Sequence, residues 1–431
     1  MTNIKIDVFE KLVLDHNTGL IVGNGFSMNF DNCFSNFYGS LKEGSYALSK
    51  NGEFTISPAA KPNTRVLIKE NYNNVLRYIR TFNQEQLEKI FEDAVDFAKF
   101  ITTNQIIWDF LSKSKHLNRL KVGPDMLEIA EKIYKIGSTK GFKFINIENW
   151  PVLIWLFHLI EDLAEFKSYN QQSNRFITLL TIGWQKNVSP PNSSGDVMFK
   201  SRFNGFSIYY RLLMLTIIFG KGKAVDLENL GYMKNINRDS LTYWLQDFKE
   251  LFSLNYDLIL EKIVNRPVTY LHGHFQNNTQ GFSYFQSYSI KYGDEKYYTN
   301  DIILGDYNTT KVLDQVMYSL VLKDHAFTQP RVEPLSELAS KMHESKINHI
   351  VLFGMHPEND YHVLSGIYHH FLTTKLDTPA ITYCYFNEQE IIEFINTLHK
   401  VITSIYGDKE FIESISLSFV DSKEIINRYF V

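Results

Sequence analysis

Near the start of the chain, two glycines stand in the motif Gly23-Asn24-Gly25-Phe26-Ser27, directly after the apolar run Leu20-Ile21-Val22. The apolar run predicts a buried strand that ends in a sharp turn. Glycines at such a turn let the backbone approach a pyrophosphate, and the start of a following helix offers N–H groups to it. The third glycine of the dinucleotide-binding fingerprint is missing, so a plain two-glycine turn explains the motif equally well.

Polar side chains also follow two later apolar runs. Asn255 and Asp257 come after the run 251–254, and His272 follows the run 268–271. At strand ends, amide and carboxylate groups can bind a ribose, a carboxamide or a water, and a histidine can act as a base near neutral pH. Taken singly, each has a structural explanation: Asp257 as a helix cap, Asn255 as a turn residue and His272 as a buried polar residue.

A parallel sheet would bring these residues together. Strand-like runs alternate with helical patterns in the second half of the chain, which predicts a parallel sheet covered on both faces. The runs are at 251–254, 268–271, 302–304, 349–353 and 381–386.

The middle of the chain has a different pattern, because apolar residues recur there at helical spacing. Asn83, followed three residues later by Gln86, predicts a capped helix start. Further helices are expected at 124–136, 149–166, 171–185 and 205–219, with a loop at 189–195. We therefore expect an α/β fold: a Rossmann-like doubly wound parallel sheet formed by residues 1–60 and 246–431, with a large all-helical insertion at 61–245.

In their order along the chain, Gly-x-Gly-x-Ser, Asn-x-Asp and His-Gly resemble the sirtuin superfamily over roughly residues 15–60 and 245–410. The resemblance implies that residues 23–27 hold the pyrophosphate of NAD. It places Asn255 and Asp257 at the nicotinamide and its ribose, and it makes His272 the catalytic base.

Two later features extend the resemblance. Gly354 ends the run 350–353 and looks like the sirtuin glycine loop that approaches the cofactor, although the following Met-His-Pro departs from the usual small residues. Asn387 resembles the sirtuin asparagine that contacts the adenosine ribose. A helix cap before Glu388 explains Asn387 equally well.

The sequence is most similar to the bacterial sirtuin-like branch, in which Asn-Tyr-Asp replaces the deacylase motif and members often act as NAD hydrolases in phage defence. The Gly-Asn-Gly-Phe segment is also shared with AbiH-like abortive-infection proteins. Classical sirtuins carry a four-cysteine zinc ribbon beside the peptide cleft, which a chain with only Cys33 and Cys384 cannot build. A protein substrate is therefore disfavoured, and water is the simplest acceptor.

These comparisons predict an NAD+ glycohydrolase that releases nicotinamide and ADP-ribose as an antiviral effector. Because unrestrained NAD loss would harm the host, we expect control through a homo-oligomer or through an ATPase or sensor partner. The competing interpretation is an NAD or ADP-ribose sensor without turnover. A nuclease is a weaker alternative, since the sequence lacks a clear basic groove or an acidic cluster for two metals.

Composition sets the remaining expectations. With 431 residues, 44% of them hydrophobic, the chain can bury a large core, and a net charge of −4 gives no indication of nucleic acid. The N-terminus lacks a secretory signal, and the apolar stretch 152–160 is too short for a membrane span, so a cytoplasmic protein is expected. No metal is expected, since His272 and His274 have no carboxylate or cysteine at a supporting spacing.

Overall fold

The computed structural model describes residues 2–49, 54–56, 62–114, 125–169, 173–182, 200, 204–277, 288–299, 333–374, 376, 378–405 and 414–431. Within these residues the strands are β1 (Thr2–Asn3), β2 (Thr18–Val22), β3 (Phe54–Ile56), β4 (Glu250–Ser253), β5 (Thr269–Tyr270), β6 (Phe275–Gln276), β7 (Tyr288–Tyr292), β8 (Glu295–Thr299), β9 (His349–Phe353), β10 (Ala380–Tyr385) and β11 (Ser416–Asp421).

Seven of these strands form one sheet in the order β1-β11-β10-β9-β2-β4-β5, and all neighbouring pairs are parallel. From β2 the chain adds β4 and β5 on one side, and later β9, β10 and β11 on the other. The strand order therefore reverses between β2 and β9. In open parallel sheets, ligands bind in the crevice beyond the carboxyl ends of the strands at such a switch point.

Both faces of this sheet are covered by helices. In β2, Leu20 and Val22 pack on one face and Ile21 on the other, because successive side chains of a strand point in opposite directions. The helices on the Ile21 face are Glu333–Glu344, Tyr361–Thr374 and Glu388–Ile405. Those on the opposite face are Ile6–Asp15, Arg238–Gln246, Ile259–Val264 and Ser422–Ile425.

The expected α/β fold with a parallel sheet is confirmed. The predicted runs near 251, 349 and 381 correspond to β4, β9 and β10, and β5 is shorter than its predicted run. The predicted strand at 302–304 and the predicted loop at 189–195 lie outside the described residues.

A second hydrophobic core is built mainly by helices from the middle of the chain. The predicted cap is confirmed, since Asn83 and Gln86 exchange side-chain and backbone hydrogen bonds as a capping box at the start of Gln84–Thr103. The described helices of this region are Leu41–Ser49, Pro62–Ile79, Gln84–Thr103, Gln105–Lys113, Met126–Thr139, Trp150–Ile160, Ala164–Lys167, Arg175–Thr181 and Gly205–Phe219. In the part of the chain that the structure describes, no helix has the length and apolarity to cross a membrane.

A small antiparallel sheet in the order β3-β7-β8-β6 packs on this helical core through Phe275, Ile290 and Tyr297. Sequence reasoning did not predict it, because its strands have two to five residues and leave little periodic signal. The helix Arg238–Gln246, all but the last residue of which falls in the range 61–245 assigned to the insertion, packs against the parallel sheet through Trp244.

Candidate functional site

The glycine motif lies at the switch point, pressed against the loop after β9. The Gly23 and Gly25 amides donate hydrogen bonds of 2.9 Å to the carbonyl oxygens of Phe353 and Gly354. A Cβ on Gly25 would lie 2.7 Å from the Gly354 Cα, and Gly354 itself has a φ of +67°. These glycines therefore let the loop after β2 contact the loop after β9. The Gly25 N–H, which was expected to face a pyrophosphate, instead donates its hydrogen bond to the Gly354 carbonyl.

Two further predicted members of this motif, Asn24 and Phe26, have structural contacts. The Phe26 ring is buried among Phe30, Phe353 and Phe430. The exposed Asn24 donates a hydrogen bond of 2.9 Å from Nδ2 to the Phe34 carbonyl. Phe26 therefore contributes to the hydrophobic core, and Asn24 fixes the loop that follows.

Three of the predicted residues form one buried network. Ser27 Oγ donates to Asp257 Oδ2 at 2.7 Å, and Asn255 Nδ2 donates to Ser27 Oγ at 2.8 Å and to the Gly23 carbonyl at 3.0 Å. The structure thus brings the end of β4 against the glycine motif after β2. Both amide hydrogens of Asn255 have protein acceptors at these distances.

Asp257 is the titratable member of this network. Burial raises its pKa to about 6, while hydrogen bonds from Ser27 Oγ and the Ile259 amide act in the opposite direction. The N-cap of the helix Ile259–Val264 is Leu258, so Asp257 lies one residue ahead of the cap position that the sequence allowed for it, although its Oδ1 accepts a hydrogen bond of 3.0 Å from the Ile259 amide. The Asp257 carboxyl therefore accepts the first amide hydrogen of the helix Ile259–Val264, and its raised pKa of about 6 makes it a candidate for a functional group.

His272 lies after β5 and is buried beside residues that sequence reasoning did not select. Its Nε2 is 3.0 Å from His362 Nε2 and 3.7 Å from Asp360 Oδ1, and the two rings are stacked with centroids 5.2 Å apart. Its Nδ1 is 4.0 Å from Glu148 Oε1. The polar pair Asp360-x-His362 follows the β9 loop at the start of a helix, which is the signal that a search beyond each strand could have used.

Tyr256, between Asn255 and Asp257, connects this end of the sheet to the helical core. Its hydroxyl donates a hydrogen bond of 2.9 Å to Glu148 Oε1, and its carbonyl accepts one of 3.0 Å from the Phe275 amide. Glu148 lies just before the helix Trp150–Ile160. The candidate site is therefore enclosed by the parallel sheet on one side and the helical core on the other.

Two further residues considered in the sequence have other partners. His274 stacks on Tyr270 with ring centroids 4.1 Å apart, and burial lowers the pKa of His274 to about 4. Asn387 is exposed; its Oδ1 accepts from the Glu390 amide at 3.3 Å, and its Nδ2 donates to Glu390 Oε1 at 2.6 Å. These contacts are those of a cap at the start of Glu388–Ile405.

No family model matches the chain, and no curated protein or solved structure shows significant similarity to it. Any function must therefore be inferred from the geometry of the site.

Proposed function

We propose that this protein is an NAD+ glycohydrolase, with a Rossmann-like domain of the sirtuin type, that acts as an effector of bacterial antiviral defence. The observation that carries the proposal is the buried network of Ser27, Asn255 and Asp257, which lies beside the switch point of a parallel sheet. Dinucleotides bind at such switch points, and polar side chains at neighbouring strand ends supply the contacts.

In this proposal NAD lies across the crevice between the ends of β2 and β9. A Cβ on Gly23, Gly25 or Gly354 would collide with the backbone of the facing loop, so these glycines let the β2 and β9 loops meet. In this proposal the pyrophosphate lies against the backbone of that junction. The nicotinamide ribose extends toward Asn255 and His272. Closure by the helical core on the side of Glu148 would hold the attacking water in place and limit its exchange with solvent.

The reaction transfers the ribosyl group to water. The bond between ribose C1′ and the nicotinamide nitrogen breaks, its electron pair leaves with neutral nicotinamide, and a water oxygen bonds to C1′. The water proton passes to His272, the proposed base, while Asn255 and Asp257 orient the ribose and the water. ADP-ribose is the second product.

The test is incubation of purified protein with NAD while nicotinamide and ADP-ribose are followed. Asn255→Ala and His272→Ala should each lower the rate by roughly 100-fold or more, the range that positioning and proton transfer contribute. His399→Ala, a change at an exposed histidine of the helix Glu388–Ile405, is the matched control and should keep the wild-type rate. Release that is equal in all four proteins would reject the proposed site.

One observation favours a second candidate, a nucleotide sensor without turnover. Both amide hydrogens of Asn255 and the Gly25 N–H are donated to the protein. These hydrogen bonds hold the site in a fixed shape that suits binding. The same donors are then not free to orient the ribose or the attacking water during a reaction. If NAD is not cleaved, calorimetric titration with NAD and with ADP-ribose decides whether the crevice binds either one.

A further inference from the structure

We propose that His272, His362 and Asp360 form a binding site for one divalent transition-metal ion of the Zn²⁺ class. One ligand atom from each residue lies within 4.8 Å of the others, and the two histidine Nε2 atoms are 3.0 Å apart. His272 comes from the end of β5, whereas Asp360 and His362 come from the start of the helix Tyr361–Thr374. Two separate elements therefore converge on one point.

The distance between the two histidine Nε2 atoms is close to the distance expected when both bind one metal ion. Two imidazole nitrogens on a tetrahedral ion, each about 2.0–2.1 Å from it, lie roughly 3.3 Å apart, so the pair needs to open by only a few tenths of an ångström. An N–H···N hydrogen bond between two neutral imidazoles also fits 3.0 Å. Asp360 Oδ1, 3.7 Å from the same His272 nitrogen, places a carboxylate oxygen beside the pair as a third ligand.

A second carboxylate stands on the other side of His272. Glu148 Oε1 is 4.0 Å from His272 Nδ1 and accepts a hydrogen bond from the Tyr256 hydroxyl. Metal-binding histidines commonly direct their second ring nitrogen toward a carboxylate, which fixes the tautomer and the ring orientation. All four groups of the cluster, His272, His362, Asp360 and Glu148, are largely buried, and a dication would offset the two carboxylates there.

The donor set also selects the ion. Two imidazole nitrogens and one carboxylate oxygen suit Zn²⁺, Co²⁺ or Fe²⁺, whereas Mg²⁺ and Ca²⁺ prefer oxygen ligands. Three protein ligands leave a position for water, as in catalytic zinc sites. The inference stands on this geometry alone. If it is combined with the NAD hydrolysis proposed above, His272 would hold the ion rather than act as the base, and the ion would supply Lewis-acid activation of the water.

The experiment uses the full chain after treatment with a chelator and dialysis. Isothermal titration with Zn²⁺ should show one equivalent bound, Mg²⁺ should show none, and Co²⁺ should develop visible absorption bands. Asp360→Asn, which keeps the shape of the side chain, should weaken Zn²⁺ binding by at least about 10-fold, and His362→Ala should weaken it further. His399→Ala is the matched histidine control and should bind Zn²⁺ as the wild type does.

Circular dichroism of each variant shows whether it is folded, and Asp360→Asn keeps the test valid if His362→Ala does not fold. The inference is overturned if the folded wild type binds no stoichiometric Zn²⁺, or if Asp360→Asn binds it as tightly as the wild type does. Because the titration contains no NAD, it is independent of the proposed activity. Zinc bound at these residues without NAD cleavage would support the metal site and reject the hydrolase alone.

Discussion

Ser27 donates its hydroxyl hydrogen to the buried carboxyl of Asp257 over 2.7 Å, although 230 positions separate the two residues in sequence. This bond joins the glycine motif after β2 to the end of β4. Asn255 reinforces the junction by donating to Ser27 Oγ. The residues expected to bind NAD thus also hold two strand ends together, so changes in them affect both ligand binding and stability.

The pH dependence of stability should report on Asp257. The pKa of its carboxyl is 3.8 in the reference state and about 6 in the folded protein, because burial disfavours the charged form. The folded state therefore holds the proton more tightly, so this contribution favours folding at low pH and is lost as the pH rises through about 6. Between about pH 4 and about pH 7 the loss should be on the order of 2 kcal/mol.

Urea unfolding of Asp257→Asn at the two pH values tests this prediction, because the amide cannot ionise. The unfolding free energy of the wild type should fall with pH relative to that of the variant. Asp239→Asn, at an exposed aspartate, should follow the wild-type profile and serves as the control. Parallel profiles for wild type and Asp257→Asn would show that the carboxyl does not titrate in this range.

Loss of the Tyr256 hydroxyl should loosen the connection between sheet and helical core. Tyr256→Phe removes the 2.9 Å hydrogen bond to Glu148 Oε1 and leaves that buried oxygen without this donor. Hydrogen bonds to charged groups contribute about 1.5–3 kcal/mol, so we expect the unfolding free energy to drop by roughly 2 kcal/mol. Denaturant unfolding measures this drop in the unfolding free energy. The control is Tyr243→Phe, at a tyrosine that is 71% exposed. Equal stability of the two variants would contradict a structural role for this bond.

Local patterns in the sequence identified the elements with strong signals. The run 20–22 predicted β2, and Asn83 with Gln86 predicted the start of Gln84–Thr103, because a buried parallel strand and a capping box are each encoded by neighbouring residues. The two-residue strands β5 and β6 are too short to show periodicity.

The candidate site was predictable only where the relevant residues follow a recognisable strand. Asn255 and Asp257 were selected on that basis, and the structure joins them to Ser27. The approach of His362 to His272, 90 positions apart, and of Tyr256 to Glu148, 108 positions apart, depends on the order of strands and the packing of the helical core. No local pattern encodes such contacts, which explains why the histidine pair was missed.

Substitutions at Asn387 test whether this residue caps a helix or binds the adenosine ribose of NAD. Its contacts with Glu390 are those of a helix cap, and replacing a cap by alanine costs about 1 kcal/mol. We therefore expect Asn387→Ala to lower the unfolding free energy by that amount and Asn387→Ser, which retains a capping oxygen, to restore most of it. In the NAD assay both variants should keep the wild-type KM. A raised KM in both would assign Asn387 to the adenosine ribose instead.

The glycine after β9 should be irreplaceable for a reason that does not involve a ligand. Gly354 has a φ of +67°, and a Cβ there would lie 2.6 Å from the Phe26 nitrogen and 2.8 Å from the Gly25 carbonyl carbon. Gly293, in the turn between β7 and β8, has a similar φ of +59° but nothing within 4 Å of a Cβ. Alanine at either position meets the left-handed backbone cost of roughly 1–2 kcal/mol.

Only Gly354→Ala adds a collision with backbone, which cannot move aside as a side chain can. We expect Gly293→Ala to lose about 1 kcal/mol of unfolding free energy and Gly354→Ala at least about 3 kcal/mol, measured by urea unfolding without NAD present. Equal losses would mean that the β2 and β9 loops can separate at little cost. The glycines would then be better explained by close approach of a pyrophosphate than by the meeting of two loops.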